Sequence, residues 1–197
     1  MLVLFGGSFD PVHIGHVIIA REVKETLGVN KVIFVPAYKA PLKETHSATP
    51  QDRLNMLKLA VEREPYFEIE DCEVKRGGIS YTVDTLKYIL PKIKKKPFFL
   101  IGADSVLKLH LWKDPLKVLE LSRLAIVDRE GKIKEVRNYL REHFPYVKEG
   151  EEVLFLPIRR IDISATEIRK RVKEGKSIYC MVPEKVELYI KEKGLYR

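Results

Sequence analysis

The chain has little cysteine. Cys72 and Cys180 are its only two cysteines, and they lie too far apart to form a CxxC pair. Neither a disulfide framework nor a thiolate zinc site is therefore expected. The sequence instead predicts two buried and chemically inert thiols.

The chain also lacks long apolar runs. No stretch approaches the roughly 18 consecutive apolar residues that a membrane-spanning helix requires. The opening MLVLFGG has no basic segment, and its apolar run is too short for a signal peptide. These absences predict a cytoplasmic protein with no membrane partner.

Acidic residues are fewer than basic ones, and the net charge is +8. Such a balance could reflect binding of nucleic acid or of a small anionic substrate, or it could have no functional meaning. Both signs alternate along the chain, and the one like-charge cluster, KIKKK at Lys92 to Lys96, precedes a predicted strand. Because no basic stripe interleaved with aromatic residues is present, a small anionic substrate is favoured over nucleic acid.

Short continuous runs of apolar residues alternate along the chain with stretches in which apolar residues recur at helical spacing. LVLF at 2–5 and KVIFVP at 31–36 are typical of parallel strands buried on both faces. Between them, apolar residues recur at helical spacing from Ile14, and Gly28 ends that helix. Further strands are predicted at 67–71, 97–103, 124–127 and 152–157, with helices from Pro50, Val83, Ile133, Ser164 and about Val182. This alternation predicts an α/β fold in one domain, 1–197: a Rossmann-like, open, mainly parallel sheet with helices on both faces.

The stretch FGGSFDPVHIGH, at 5–16, joins the first strand to the first helix. Glycines after a buried strand let backbone amides approach a ligand closely. The start of the next helix adds unpaired N–H groups and a partial positive charge, so the turn predicts an anion site. Adjacent glycines do not fit GxGxxG, and no Gly-Lys follows as in a GxxxxGK phosphate loop.

His13 and His16 lie in this turn, three residues apart, and a helix would place them on one face. They do not match HExxH, which needs a spacing of four and a glutamate, and no third metal ligand is obvious. Isolated histidines of this kind could also be core or capping residues. Within a glycine-led anion site we interpret them as imidazole donors to a phosphate, and no protein metal ligand is predicted.

The stretch ISATEIR, at 163–169, begins a helix near the C-terminus. Ser164 followed by Glu167 forms a capping box. The same helix start could bind a second anion through the hydroxyls of Ser164 and Thr166 and the guanidinium of Arg169. The two interpretations are compatible, since a capped helix still exposes other amides.

Together the two stretches resemble the signatures of the HxGH nucleotidyltransferase superfamily, which transfers AMP or CMP from a nucleoside triphosphate. ISYTVDTL at 79–86, IGADS at 101–105, Trp112 and the ending GLYR further resemble bacterial nicotinate mononucleotide adenylyltransferases. The phosphopantetheine adenylyltransferases are the alternative, but they do not account for ISYT, Trp112 or the chain length. The resemblance implies adenylyl transfer from ATP to nicotinate mononucleotide, giving deamido-NAD and pyrophosphate in NAD biosynthesis.

The resemblance also implies roles for particular residues. Those implied to bind ATP and its phosphates are Gly6, Gly7, Ser8, Phe9, Lys43, Ser164 and Thr166. Those implied to act in catalysis are His13, His16 and Arg169. Those implied to bind nicotinate mononucleotide are Tyr81, Thr82, Gly102, Asp104, Trp112, Lys113 and Arg129. Mg²⁺ is expected on the phosphates, where it needs few protein ligands.

Within the acceptor set, the resemblance implies that Trp112 stacks on the pyridine ring. Thr82 and the backbone amide of Lys113 would hold the nicotinate carboxylate, and Gly102 and Asp104 would meet a ribose. Read singly, Trp112 could be a packing residue, and Asp104 and Thr82 could be helix caps.

Two positions depart from the family pattern. The usual Arg-Pro-Gly reads Arg129-Glu130-Gly131, and the usual Pro-Pro-His with a basic residue reads Ala40-Pro41-Leu42-Lys43. Leucine replaces the family histidine, so His13 and His16 are expected to be the only imidazoles at the site. Whether the protein forms a homo-oligomer is left open by the sequence.

Overall fold

The protein is described by a computed structural model that covers residues 1–42, 46–128 and 131–197. Its strands form a six-stranded sheet in the order β3-β2-β1-β4-β5-β6, and all neighbouring pairs are parallel. The strands are β1 Leu2–Gly7, β2 Lys31–Pro36, β3 Phe67–Ile69, β4 Phe98–Gly102, β5 Arg123–Val127 and β6 Val153–Leu156. The open parallel sheet predicted from the alternating pattern is confirmed.

Helices connect the strands in chain order. They are α1 Ile14–Leu27, α2 Pro50–Val61, α3 Cys72–Arg76, α4 Thr82–Ile89, α5 Ala103–Val106, α6 Pro115–Leu121, α7 Ile133–His143, α8 Ala165–Lys173 and α9 Glu184–Lys193. Two short 3₁₀ turns lie at Leu90–Lys92 and Leu109–Leu111. Within the described ranges, no helix combines the length and apolar character needed to span a bilayer.

The helices cover both faces of the sheet. Successive strand residues point to opposite faces, so Val3 packs in one core cluster and its neighbour Leu4 in the other. The first cluster receives side chains from α1, α2, α8 and α9, among them Ile19, Met56, Ile168 and Ile190. The second receives side chains from α4, α6 and α7, among them Leu86, Val118 and Val136. Burial on both sheet faces explains the continuous apolar runs of the strands.

The helix boundaries follow the local signals closely. Gly28, in the left-handed region with φ 59°, ends α1, and its amide donates to the last turn. Thr49 caps α2, its hydroxyl accepting from the Asp52 amide, and Pro50 occupies the first helical position.

The first strand is longer than predicted. β1 continues through Gly7, so Gly6 and Gly7 are paired strand residues rather than residues of the following turn.

The two cysteines have different environments. Cys72 is buried at the start of α3, and burial raises the pKa of its thiol to about 11. Cys180, by contrast, is exposed. The prediction of two buried thiols is therefore correct for Cys72 and wrong for Cys180.

Candidate active site

A cleft of about 570 Å³ opens at the carboxyl ends of β1 and β4. The chain runs from β1 outward to β3 and then returns to place β4 on the other side of β1. This reversal is the switch point where open parallel sheets bind ligands. We call this cavity the switch-point cleft. Predicted site residues that line it are Gly6, Gly7, Ser8, Phe9, His13, His16, Thr82, Gly102, Asp104, Trp112, Ser164, Thr166 and Arg169.

A second cavity of about 300 Å³ shares Thr82, Asp104 and Trp112 with the switch-point cleft and adds Tyr81 and Lys113 to its lining. The fold thus brings residues of the two terminal motifs and of the middle of the chain to one edge of the sheet. Two of the predicted site residues, Lys43 and Arg129, lie outside the described residues.

Gly7 is the last residue of β1 and directly precedes the turn that contains Phe9. A Cβ added to Gly7 would lie 2.9 Å from Cζ of Phe9, so a larger residue would displace the Phe9 ring. Phe9 has a positive φ of 47° and is 2% exposed, with edge-on ring contacts to Phe5 and Phe34. The buried aromatic ring therefore forms the floor of the cleft and fixes the turn above it.

His13 and His16 form a stacked pair at the start of α1. His13 is the extended N-cap residue, not a helical one, so the two rings do not lie along one helical face as predicted. Their centroids are 3.6 Å apart, and the His13 backbone N–H donates to Nδ1 of His16 over 3.2 Å. Because Nδ1 of His16 accepts, the proton of the neutral ring is on Nε2, which makes that nitrogen a hydrogen-bond donor.

Arg169 joins the two terminal motifs. The Ser164 hydroxyl accepts from the Glu167 amide over 3.1 Å, which confirms Ser164 as the N-cap residue and one of the two bonds of the predicted capping box. One turn later, Arg169 donates from Nη1 to the Asp10 carbonyl (2.7 Å) and lies within 3.4 Å of Thr166 Oγ1 through Nη2. A guanidinium has five N–H donors, so Arg169 can brace the turn after β1 and still bind an anion.

His46 is a third imidazole in the cleft. It lies in the loop after β2, lines the switch-point cleft, and has Nε2 3.1 Å from Ser8 Oγ. Leu42, at the family histidine position, is 55% exposed. The prediction that His13 and His16 would be the only imidazoles at the site is therefore wrong. The loop has no apolar period, and no sequence pattern indicated which of its residues turns inward.

Asp10 is a buried carboxylate that the sequence analysis did not single out. It is 5% exposed and accepts hydrogen bonds from the amides of Ser47 (2.7 Å) and Ala48 (3.1 Å) and from the Tyr196 hydroxyl (2.8 Å). With the bond from Arg169 to its carbonyl, Asp10 connects four segments of the chain. We call Asp10, Ser47, Ala48, Arg169 and Tyr196 the Asp10 network.

Arg53, on α2, is fully buried behind the same loops. Its Nη1 donates to the Ser8 carbonyl over 2.6 Å, and its Nη2 donates to the Tyr38 carbonyl over 2.8 Å. Burial lowers the pKa of this guanidinium, and a guanidinium still remains charged near neutral pH. Arg53 therefore holds together the loops that follow β1 and β2, and it places a positive charge behind the cleft.

The β4 side of the cleft carries the predicted acceptor residues. Trp112 meets Phe99 edge-on, with centroids 6.0 Å apart. Tyr81 is the N-cap residue of α4 and Thr82 its first helical residue, so Thr82 is not a cap. Lys113 lies with Nζ 3.0 Å from Asp84 Oδ2 and 4.7 Å from the Tyr81 ring centroid.

Gly102, Asp104 and Glu73 also lie on this side of the cleft. Gly102 is the N-cap residue of α5, and exposed Asp104 is its second helical residue, which removes the capping interpretation of Asp104. Glu73 lies buried at the cleft wall and accepts a hydrogen bond from Thr85 Oγ1. Burial raises the pKa of the Glu73 carboxyl.

Comparisons with known proteins place the chain in a family. Residues 4–171 match the family model described as cytidylyltransferase-like. A protein of Aquifex aeolicus named probable nicotinate-nucleotide adenylyltransferase is 54% identical over 168 residues, which are 85% of this chain and 100% of that protein. A protein of the same name from Hydrogenobaculum is 40% identical over 195 residues, which are 99% of this chain and 97% of the relative.

A solved structure of Plasmodium falciparum nicotinic acid mononucleotide adenylyltransferase complexed with NaAD has the same fold. Its TM-score is 0.79 at 18% identity, with 99% of this chain and 96% of that chain covered. The fold, the cleft at its switch point and the family match define a nucleotidyltransferase. Within that class, the chain belongs to the nicotinate-nucleotide adenylyltransferase family.

Proposed function

We propose that the switch-point cleft transfers the adenylyl group of ATP to nicotinate mononucleotide, giving deamido-NAD and pyrophosphate. The observation that carries this proposal is the distribution of residue types around the cleft. Anion-binding groups of both terminal motifs meet on the β1 side, and Thr82 and Trp112 face the same cleft from the β4 side. A phosphate-rich donor and an aromatic acceptor could therefore bind side by side.

The nucleophile in this reaction is the phosphate of nicotinate mononucleotide. An oxygen of that phosphate bonds to the α-phosphorus of ATP, the bond from the α-phosphorus to the bridging oxygen breaks, and pyrophosphate leaves with the electron pair. A phosphate monoester has a second pKa near 6, so it is largely dianionic at pH 7 and needs no general base. The protein must supply in-line positioning and charge neutralisation between two polyanions.

The triphosphate is assigned to the β1 side. Nε2–H of His16 would donate to the α-phosphate, with His13 beside it and the partial positive charge of the α1 N-terminus behind both rings. The outgoing pyrophosphate would be held by Arg169 and by the hydroxyls of Ser164 and Thr166. The triphosphate pocket would be shaped by Gly6, Gly7, Ser8 and Phe9, and His46 lines it as well. Lys43 is added to this set on the basis of the sequence resemblance alone.

Mg²⁺ belongs to this proposal as a companion of the ATP phosphates. In residues 1–42, 46–128 and 131–197, no group of three or more His, Cys, Asp or Glu side chains could hold a metal ion. Mg²⁺ on a nucleotide is held mainly by phosphate oxygens and water, so it needs few protein ligands. When bound, Mg²⁺ would supply part of the charge neutralisation.

Nicotinate mononucleotide is assigned to the β4 side. Trp112 would stack on the pyridine ring, and the Thr82 hydroxyl and the Lys113 backbone amide would donate to the nicotinate carboxylate. Tyr81 packs beside them, while Gly102 and Asp104 would meet a ribose. Arg129 completes the acceptor set on the basis of the sequence resemblance alone.

Selectivity for the acid over the amide follows from this assignment. A carboxylate only accepts hydrogen bonds, so the donors at Thr82 and Lys113 suit it. A carboxamide is neutral and its NH₂ group must either oppose the Lys113 amide or turn the Thr82 hydroxyl from a donor into an acceptor. It therefore loses charge-assisted hydrogen bonds that the carboxylate accepts from this pair of donors, and kcat/KM should fall accordingly.

Changing Trp112 to alanine tests the acceptor assignment. In a pyrophosphate-release assay, the wild type should form pyrophosphate only when ATP and nicotinate mononucleotide are both present. Trp112→Ala should raise KM for nicotinate mononucleotide about tenfold, since stacking on an aromatic residue is worth roughly 1–3 kcal/mol per base. KM for ATP should stay within about twofold, because the triphosphate site lies on the β1 side.

The matched control is Tyr146→Ala, which removes an aromatic side chain that is 55% exposed and lines neither cavity. Its kinetics should equal those of the wild type. An unchanged KM for nicotinate mononucleotide in Trp112→Ala would refute the stacking role. Absence of pyrophosphate release by the wild type would refute the proposed function itself.

A further inference from the structure

The C-terminal segment after α9 reaches Asp10, a residue that lines the switch-point cleft. Tyr196 follows that helix in the left-handed region, with φ 66°, and its hydroxyl donates to Asp10 Oδ1 over 2.8 Å. The two residues are 186 positions apart. Burial and the neighbouring Asp10 carboxylate raise the pKa of the Tyr196 hydroxyl, so it keeps its proton and remains a donor.

Asp10 uses both carboxylate oxygens for structure. Oδ1 accepts from Tyr196 and from the Ala48 amide, and Oδ2 accepts from the Ser47 amide. The carbonyl of Asp10 accepts from Arg169. A carboxylate with three donors is fixed in orientation, whereas one with two amide donors on a loop can rotate or admit water.

The segments held by Asp10 are those assigned to ATP. Ser47 follows His46, whose ring lies against Ser8 in the turn after β1. Arg169 is assigned to the outgoing pyrophosphate. Tyr196 packs on the core cluster under α1 and α9, while Trp112 and Tyr81 pack on the cluster of the opposite sheet face. The Asp10 network therefore acts on the donor side of the cleft and not on the acceptor side.

We propose that Tyr196 is a positioning residue for ATP: its hydroxyl orients Asp10, which in turn holds the segment 46–48 and Arg169 in place for the triphosphate. This inference rests on the proposed adenylyl transfer. It assigns the end of the chain a part in substrate binding, although Tyr196 does not line the cleft.

Tyr189 offers a matched control on the same terminal segment. It lies on α9 and packs on the same core cluster as Tyr196. Its hydroxyl donates to Asp52 Oδ1 (2.8 Å) and accepts from Asn55 Nδ2 (3.0 Å), both on α2. Neither Tyr189 nor its two partners lines the cleft, so Tyr189→Phe removes an equivalent hydroxyl without touching the Asp10 network.

The test compares the kinetics of Tyr196→Phe, Tyr189→Phe and the wild type, with each substrate varied in turn. We expect Tyr196→Phe to raise KM for ATP about tenfold, the factor that loss of one hydrogen bond to a charged group produces. Its KM for nicotinate mononucleotide should change by less than about twofold, a split that general destabilisation would not produce. Tyr189→Phe should leave both KM values at the wild-type level.

Amide hydrogen exchange gives a second readout that does not depend on turnover. The amides of Ser47 and Ala48 should exchange faster in Tyr196→Phe than in Tyr189→Phe. Equal KM values for ATP in the two variants, or equal exchange at these two amides, would overturn the positioning role. If the wild type makes pyrophosphate normally, such a result leaves the adenylyl transfer intact; if it makes none, the proposed function fails first.

Discussion

Replacing His16 by alanine is expected to lower kcat/KM by about 100-fold or more, the usual cost of removing one preorganised donor to a developing charge. The Nδ1 atom of His16 accepts from the His13 amide, so we assign its Nε2–H to the α-phosphate. The effect should appear in kcat rather than only in KM, because the charge on the reacting phosphate develops along the reaction.

His143→Ala is the matched control for this change. His143 lies in the last turn of α7, is exposed, and does not line the switch-point cleft. Its kcat should equal that of the wild type. A decrease of less than about threefold in His16→Ala, which is under about 1 kcal/mol, would exclude a role in the transition state. Thermal melting of both variants separates this outcome from loss of fold.

Replacing Arg53 by methionine is expected to destabilise the protein by about 3 kcal/mol. The change removes two charge-assisted hydrogen bonds and leaves the Ser8 and Tyr38 carbonyls without their donor. Methionine fills much of the space of the arginine side chain, so the loss of stability is expected to come from the unpaired carbonyls rather than from a cavity. For a chain of this size Tm should fall by roughly 10 °C, as measured by calorimetry or circular dichroism.

Arg63→Met is the control, because Arg63 is exposed just beyond α2. It should melt within about 2 °C of the wild type, as expected for an exposed substitution. Arg53→Lys should also lose stability, since one ammonium group does not match the fork that spans two carbonyls. A melting temperature of Arg53→Met equal to that of Arg63→Met would show that the buried guanidinium contributes nothing to the fold.

Elements with strong local signals could be predicted from the sequence. α1 and α2 have an apolar stripe together with a terminal residue that fixes one end, Gly28 and Thr49 respectively. α3 and α6 were missed because they are too short, at five and seven residues, to display a full helical repeat, and the four-residue α5 was indicated only through the possible cap at Asp104.

The same distinction applies to the candidate site. His13, His16, Ser164 and Arg169 stand in two short motifs, so the sequence could indicate them, and the structure brings them to one cleft. The Asp10 network depends on contacts such as the one between Asp10 and Tyr196, which no local period or spacing encodes. In the sequence, Asp10 is marked only by the proline that follows it, and that pattern does not indicate a buried carboxylate.

His46 and Arg53 illustrate two further reasons why part of the site could not be predicted from the sequence. His46 belongs to a polar loop, and its place in the cleft depends on the Asp10 carboxylate that holds the next two amides. Arg53 stands in an otherwise amphipathic helix, where an arginine usually faces water. Its burial follows from two carbonyls supplied by other segments, which only the folded chain brings together.

The most direct test of adenylyl transfer to nicotinate mononucleotide is pyrophosphate release from ATP with three acceptors. These are nicotinate mononucleotide, nicotinamide mononucleotide and phosphopantetheine. We expect rapid release with the acid, a kcat/KM lower by at least about 100-fold with the amide, since the amide lacks the charge that strengthens the hydrogen bonds from Thr82 and Lys113, and none with phosphopantetheine. Equal kcat/KM for the acid and the amide would contradict the carboxylate site, and release with phosphopantetheine alone would contradict the assigned acceptor.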